Sequence, residues 1–134
     1  MRIMGLDVGD KRIGVAVSDG LGLTAQGIDT ISREGCMQAL KKIIEEYEVD
    51  SVVVGVPRML DGSVGIQGEK VLKFVEELRL AIPLPVTLWD ERLSTVAAER
   101  VLLEANLRRD KRKSLRDKVS AILILQNYLD SRKK

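Results

Sequence analysis

Hydrophobic and polar residues form short runs in the first half of the chain, and their order predicts a sheet. Two apolar runs, residues 3–8 and 13–17, flank a polar turn at 9–12 and predict a β-hairpin. Residues 23–31 form a third expected strand. The continuous apolar run 51–56 is typical of a strand buried on both faces.

Helical spacing of apolar residues begins at residues 34–47 and returns after a polar, glycine-rich loop at 57–68. A short strand is expected at 86–89, and two helices, roughly 95–106 and 115–129, close the chain. This order predicts an α/β fold in which three antiparallel strands join a parallel half. The result is a mixed five-stranded sheet covered by helices.

Length and composition favour a single domain over residues 1–134, with 45% hydrophobic and 31% charged residues. No apolar run approaches the roughly 20 residues of a membrane span, and no signal peptide is recognisable. We therefore expect a cytoplasmic protein without a membrane partner. The lone Cys36 excludes an intrachain disulfide, and its helical setting predicts a packing role.

The chain contains no histidine, which narrows the possible chemistry. Its absence excludes Ser-His-Asp triads, Cys-His pairs, histidine-ligated zinc and the usual proton shuttle at neutral pH. An enzyme of this composition must use carboxylates, lysines, hydroxyls or a bound ion. Carboxylate ligands favour Mg²⁺ or Mn²⁺.

Acidic residues occur at three element ends: Asp7 in the first strand, Asp90 and Glu91 after the last, and Asp117 at the start of the final helix. Desolvating a lone carboxylate is costly, so Asp7 should have a partner, either a metal ion or the backbone of the turn that it caps. Strand alternation puts Asp90 and Glu91 on opposite faces. Only one of them can share a site with Asp7, and spacing leaves the choice open.

The position of Asp117 allows two interpretations. On a helix it lies in line with Ala121, Ile124 and Tyr128, which predicts that it points toward the core. The segment from Ser114 to Asp117 also fits a capping box, in which Asp117 would serve the helix N-terminus. Both roles can coexist.

Basic residues are concentrated just before Asp117. Residues 108–118 contain seven basic and two acidic side chains, whereas the whole chain has a net charge of only +2. Nucleic-acid phosphate would suit such a surface, and a solvated loop between helices is the alternative. Because aromatic residues make up only 3%, recognition should depend on backbone and shape. The 57–68 loop, with Arg58 and Asp61, is a weaker phosphate-binding candidate.

Four motifs in order resemble the YqgF/RuvX family from Met1 to about Ser131: the hairpin segment 7–19, residues 55–63, residues 89–94 and the helix containing Asp117. The resemblance implies an RNase H-like (RuvC-like) fold and a bacterial nuclease. The family is described as maturing the 5′ end of pre-16S rRNA, and also as resolving Holliday junctions.

The resemblance places the family's catalytic and metal-binding acids on Asp7, Glu91 and Asp117, with Mg²⁺ or Mn²⁺ as the cofactor. Asp10 stands where many relatives have Thr or Ser, which adds a negative group near the mouth of the site. The residues expected to hold phosphates of structured RNA or branched DNA are all basic: Arg12, Arg58, Arg92, Arg109, Lys111, Arg112, Lys113 and Arg116.

Two other classes of function compete with a nuclease. The first hairpin also resembles the phosphate loop of actin-like ATPases and sugar kinases, but those enzymes need a second lobe that 134 residues do not supply. A non-catalytic RNA-binding assembly factor is the other alternative. A junction resolvase should be a two-fold dimer, yet the sequence does not indicate an oligomeric state.

Overall fold

The chain folds around one five-stranded sheet. The computed structural model describes residues 2–59, 61–91 and 109–132, with the side chains of 109–118 outside the description. The strands are β1 (Arg2–Val8), β2 (Arg12–Ser18), β3 (Ala25–Ser32), β4 (Val49–Val56) and β5 (Val86–Asp90). The helices are α1 (Cys36–Tyr47), α2 (Ile66–Ala81) and α3 (Arg109–Ser131).

The strand order is β3-β2-β1-β4-β5, so the first strand lies at the centre of the sheet. The pairs β1–β2 and β2–β3 are antiparallel, whereas β1–β4 and β4–β5 are parallel. This arrangement confirms the mixed five-stranded sheet predicted from the sequence. The parallel strands end at the same edge of the sheet, and the antiparallel β2 begins there.

Side chains on β1 and β4 alternate between two hydrophobic cores, one on each face of the sheet. Leu6 and Val8 pack with α1 and α2 in the larger core, which contains the fully buried Phe74. Ile3 packs with Ile124 and Leu125 of α3 in the smaller core. Because strand alternation assigns each residue a face, Asp7 belongs to the α3 side.

Helix α3 lies directly on β1 because Gly5 has no side chain. A Cβ added at Gly5 would come 2.7 Å from Leu125 Cβ and 3.3 Å from the carbonyl oxygen of Ala121. At the other end, Ile3 packs in the same cluster as Leu129. The helix therefore runs opposite to β1, and its N-terminal turns lie toward the edge where β1 ends.

The start of α3 corrects the predicted helix boundary. The helix already includes Arg109, so Ser114 is inside it, and the capping box with Asp117 is wrong. Leucine, arginine and lysine are good helix formers, and they extend the helix through the basic segment that precedes the predicted helix start at residue 115. The expected helix at 95–106 lies outside the described residues.

The glycine-rich loop is shorter than predicted because α2 begins at Ile66. Gly68 is a buried helical residue. A Cβ there would come 2.6 Å from Val64 Cγ1 and 2.7 Å from the carbonyl oxygen of Pro57. Cys36 is buried at the start of α1, in agreement with a packing role. Within the described ranges, none of the helices has the length and apolar character needed to cross a membrane.

Candidate active site at the carboxyl edge of the sheet

The acidic residues predicted at the ends of β1 and β5 lie at one edge of the sheet. Strands β1, β4 and β5 all end there, since they are mutually parallel. The antiparallel pairing of Val8 with Ile13 brings the start of β2, and with it the half-buried Arg12, to the same edge. Ligands of α/β sheets commonly bind at the carboxyl ends of the strands.

Asp7 occupies a regular strand position, paired with Gly14 of β2. It is half-buried between two fully or nearly buried neighbours, Leu6 and Val8, which point to the opposite face. The hairpin turn is closed by the backbone, where the N–H of Gly9 donates to the carbonyl of Arg12 at 2.8 Å. The carboxylate of Asp7 instead faces Glu91, with which it shares a hydrogen bond.

Glu91 is one of the two buried polar residues in the described part of the chain, with 9% of its surface exposed. Its backbone N–H donates to the carbonyl of Val56 at 3.1 Å, which extends the β4–β5 pairing by one residue. Its side chain crosses the backbone of Gly55, where an added Cβ would lie 2.6 Å from Glu91 Cγ. The glycine thus provides the space that Glu91 occupies.

Burial and neighbouring charge keep Glu91 protonated. Desolvation, followed by the charge of Asp7, the hydrogen bond with Asp7 and the charge of Asp90, raises the pKa of Glu91 to about 9. At neutral pH the Glu91 carboxyl therefore donates a hydrogen bond to the Asp7 carboxylate. A divalent cation could take the place of that proton. Two adjacent carboxylates repel each other when both are ionised, and the positive charge of such an ion would offset that repulsion.

Asp90 lies apart from this pair, as strand alternation requires. Its Oδ2 is 4.0 Å from the Nε of Arg58, and both side chains are about one third exposed. The Nη1 of Arg58 also donates to the carbonyl of Gly62 at 3.3 Å. Strand spacing left the choice between Asp90 and Glu91 open and the family resemblance favoured Glu91, which is the acid beside Asp7.

The backbone of α3 brings Asp117 level with Asp7. Asp117 precedes Ala121 by one helical turn, about 6 Å along the axis, and Asp7 follows Gly5 by two strand residues, about 6.6 Å. Since Ala121 lies against Gly5 and the two elements run in opposite directions, these steps lead to the same edge. The side chain of Asp117 is outside the description, and no group of three potential ligands occurs among the described side chains.

The structure describes the positions of some of the predicted phosphate-binding residues. Arg12 and Arg58 lie at this edge, at the start of β2 and after the end of β4. Arg92 lies outside the described residues, and the other five occupy the first turns of α3 without described side chains: Arg109, Lys111, Arg112, Lys113 and Arg116.

Sequence reasoning missed the role of Gly55. The signal was present, because glycine inside an otherwise apolar strand often marks a close approach of another group. It also missed the partner of Asp10, whose Oδ1 lies 3.4 Å from the Nζ of Lys70 on α2. Asp10 and Lys70 are 60 residues apart in sequence, and no local pattern indicates that they are in contact.

Several relatives match nearly the whole chain and carry the name "Putative pre-16S rRNA nuclease". The protein of Desulforamulus reducens is 58% identical over 98% of both chains. That of Thermoanaerobacter pseudethanolicus is 56% identical over 99% of both. That of Clostridium novyi is 55% identical over 98% of this chain and 99% of its own.

Solved structures share the fold at low sequence identity. The RuvC of T. thermophilus in complex with a Holliday junction substrate superposes with a TM-score of 0.62 and 17% identity, over 98% of this chain and 95% of that one. Fowlpox virus resolvase in complex with Holliday junction DNA superposes with a TM-score of 0.60 and 15% identity, over the full length of both chains. These likenesses confirm the RNase H-like fold. The model of the RuvX family, described as Holliday junction resolvase, matches residues 1–131, and the chain belongs to that family.

Proposed function

We propose that residues 1–134 form one RNase H-like nuclease domain that hydrolyses phosphodiester bonds in the 5′ leader of pre-16S rRNA. The observation that carries the proposal is the buried Asp7–Glu91 pair at the carboxyl edge of the sheet. The substrate follows the name of the relatives, which are 52–58% identical to this chain. We place the activity in the cytoplasm.

The donor set fits Mg²⁺ or Mn²⁺. Asp7 of β1 and Glu91 at the end of β5 would hold the ion across the intervening β4, and Asp117 would approach from α3. The bound ion would supply Lewis-acid stabilisation of the phosphoryl oxygens and a water of lowered pKa as the nucleophile. This chemistry needs no histidine base, in agreement with the composition.

The residues of the chain itself have separate tasks in this proposal. Asp7 is the ionised member of the pair, and Glu91 must release its proton when the ion binds. Because Gly55 has no side chain, Glu91 can cross the strand at that position and reach Asp7. Arg12, Arg58 and the basic first turns of α3 neutralise the phosphates on either side of the scissile bond.

Resolution of Holliday junctions is the second candidate. The description of the family and the junction complexes of two structural neighbours favour it. A resolvase must cut two strands symmetrically and should form a two-fold dimer, whereas an enzyme that trims rRNA need not. The oligomeric state therefore helps to distinguish the two substrates.

A side-by-side cleavage assay tests the proposal. The wild-type protein, Asp7→Asn and Asp19→Asn are incubated with a pre-16S leader and a four-way junction in Mg²⁺, and the oligomeric state is measured in the same buffer. Asp19 is a suitable control because it holds the β2–β3 loop through bonds to Leu23 and Thr24, and asparagine keeps an oxygen acceptor.

We expect Mg²⁺-dependent cleavage of the leader by the wild type and by Asp19→Asn, and its loss in Asp7→Asn. Preferential cleavage of the junction by a dimer would favour the resolvase instead. Binding of RNA without cleavage, and unchanged by metal, would favour a non-catalytic assembly factor and contradict the proposal.

A further inference from the structure

A second basic surface lies on the other face of the sheet, between the hairpin turn and α2. It is a groove of about 350 Å³, lined by the end of β1, the turn after it and one side of α2. Its floor is apolar, with Val8, Val71 and the fully buried Phe74. We call it the α2 groove.

Three cations line the α2 groove: Arg33, Lys70 and Lys73. The guanidinium of Arg33 is held in place, 4.6 Å above the ring of Phe74 and 3.9 Å from a carboxylate oxygen of Glu77. Lys73 is exposed and forms no ion pair with any residue for which the structure gives side chains. The groove thus offers one fixed cation and one unengaged cation.

Two acids reduce this positive charge. Glu77 pairs with Arg33, and Asp10 of the hairpin turn lies 3.4 Å from Lys70. Both members of the Asp10–Lys70 pair are more than half exposed, so their mutual attraction is weak. An arriving phosphate can therefore compete with Asp10 for Lys70 at little cost.

The α2 groove begins one residue beyond the acid pair. Asp7 faces α3, whereas the next residue, Val8, and the following Gly9 line the groove. The basic first turns of α3 and the α2 groove therefore flank the carboxyl edge on opposite sides. A nucleic-acid backbone that crosses Asp7 and Glu91 would continue toward the α2 groove on one side and the first turns of α3 on the other.

We propose that the α2 groove binds the phosphodiester backbone of the nucleic acid at a distance from the scissile bond, through Lys70, Lys73 and Arg33. The proposal rests on the proposed nuclease function, since it extends the substrate path of that site. Contact is with phosphates, because the groove has a buried aromatic ring under Arg33 and offers no exposed ring on which a base could stack. Asp10 weakens this contact in the native protein.

Two substitutions with opposite expected effects test the groove. Binding of a fluorescent pre-16S leader and of a scrambled RNA of equal length is measured at several salt concentrations, in an Asp7→Asn background that does not cleave. Lys73→Glu should lower the affinity for both RNAs about three- to tenfold and reduce the salt dependence by about one phosphate contact. Asp10→Asn should raise both affinities, because it frees Lys70.

Lys42→Glu is the matched control, since Lys42 is also an exposed helical lysine but lies outside the groove. Equal losses of RNA affinity in Lys73→Glu and Lys42→Glu, or no gain of affinity in Asp10→Asn, would overturn the proposal that the α2 groove binds RNA. Either result would leave the nuclease proposal intact. A parent protein that binds no RNA or junction at all would contradict the proposed function, and the groove with it.

Discussion

At the scale of single residues, the site depends on a carboxyl group that the fold keeps neutral. Glu91 is surrounded by protein on most sides and faces the negative charge of Asp7. A proton satisfies the pair when no cation is bound. The proposed metal binding would therefore displace a proton, and the metal affinity should rise with pH.

The raised pKa of Glu91 predicts a pH dependence of stability in EDTA. Between pH 4.5, the ordinary pKa of the group, and about 9, the folded state holds a proton that the unfolded state has released. The free energy of unfolding should therefore fall as pH rises, by at most about 1.4 kcal/mol per pH unit. Urea unfolding from pH 5.5 to 8 measures it.

Glu91→Gln provides the comparison for that experiment, because a glutamine amide can donate to Asp7 at any pH in this range. The slope of stability against pH should be smaller in the variant than in the wild type. Parallel slopes for the two proteins would show that Glu91 ionises normally, and would remove the electrostatic basis of the site.

Gly55→Ala tests the space beneath Glu91. The added methyl would lie 2.6 Å from Glu91 Cγ and would also contact the end of Ile124. We expect cleavage to be largely lost, together with about 1–3 kcal/mol of stability from overpacking. Gly20→Ala is the control, because nothing lies within 4 Å of a Cβ added there. It should leave both the stability and the cleavage rate close to those of the wild type.

At the scale of elements, α3 both covers the smaller core and carries Asp117 to the edge. The helix is also tied to β3, where the side chain of Gln126 accepts from the N–H of Ala25 at 2.9 Å and donates to the carbonyl of Leu23 at 3.0 Å. Gln126 is 101 residues from Ala25 in sequence, and its two hydrogen bonds attach the C-terminal part of α3 to the sheet.

Gln126→Ala should loosen that attachment. Without the side-chain acceptor, the Ala25 amide should exchange with solvent several-fold faster, since a hydrogen bond of this kind contributes about 1 kcal/mol. The N–H of Ile3, bonded to the buried Ser18 hydroxyl at 2.8 Å, serves as an internal reference whose exchange should be unchanged. Equal acceleration at both amides would indicate general destabilisation instead.

The elements were predictable where the chain repeats a simple period. The apolar runs of β1, β2 and β4 and the helical spacing of α1 follow directly from alternation and burial. The start of α3 was not, because Ser114 and Asp117 fit a cap locally while the flanking lysines and arginines sustain the helix. The helix propensity of the longer segment therefore outweighs the local preference for a cap at Ser114.

The strand pattern alone predicted the site only in its residue types, and the choice of Glu91 came from the family resemblance. Acids at strand ends indicated Asp7 and one of Asp90 and Glu91, but the choice depended on which face of β5 meets α3. The raised pKa of Glu91, the space at Gly55 and the Asp10–Lys70 contact arise from pairing between strands and helices far apart in sequence. No window of the sequence contains that information.

At the scale of the whole molecule, charge is distributed around one edge of the sheet. The net charge is only +2, yet the acid pair lies between the basic turns of α3 and the cations of the α2 groove. Such an arrangement would attract a polyanion toward the acid pair. The proposed function therefore requires Asp7, Glu91 and Asp117 to act as a single metal site.

Calorimetric titration with Mn²⁺ near neutral pH tests that claim most directly. We expect the wild type and Asp90→Asn to bind the ion with similar affinity, because Asp90 faces Arg58. Asp7→Asn, Glu91→Gln and Asp117→Asn should each bind at least about tenfold more weakly. Wild-type affinity in Glu91→Gln or in Asp117→Asn would contradict the three-carboxylate site.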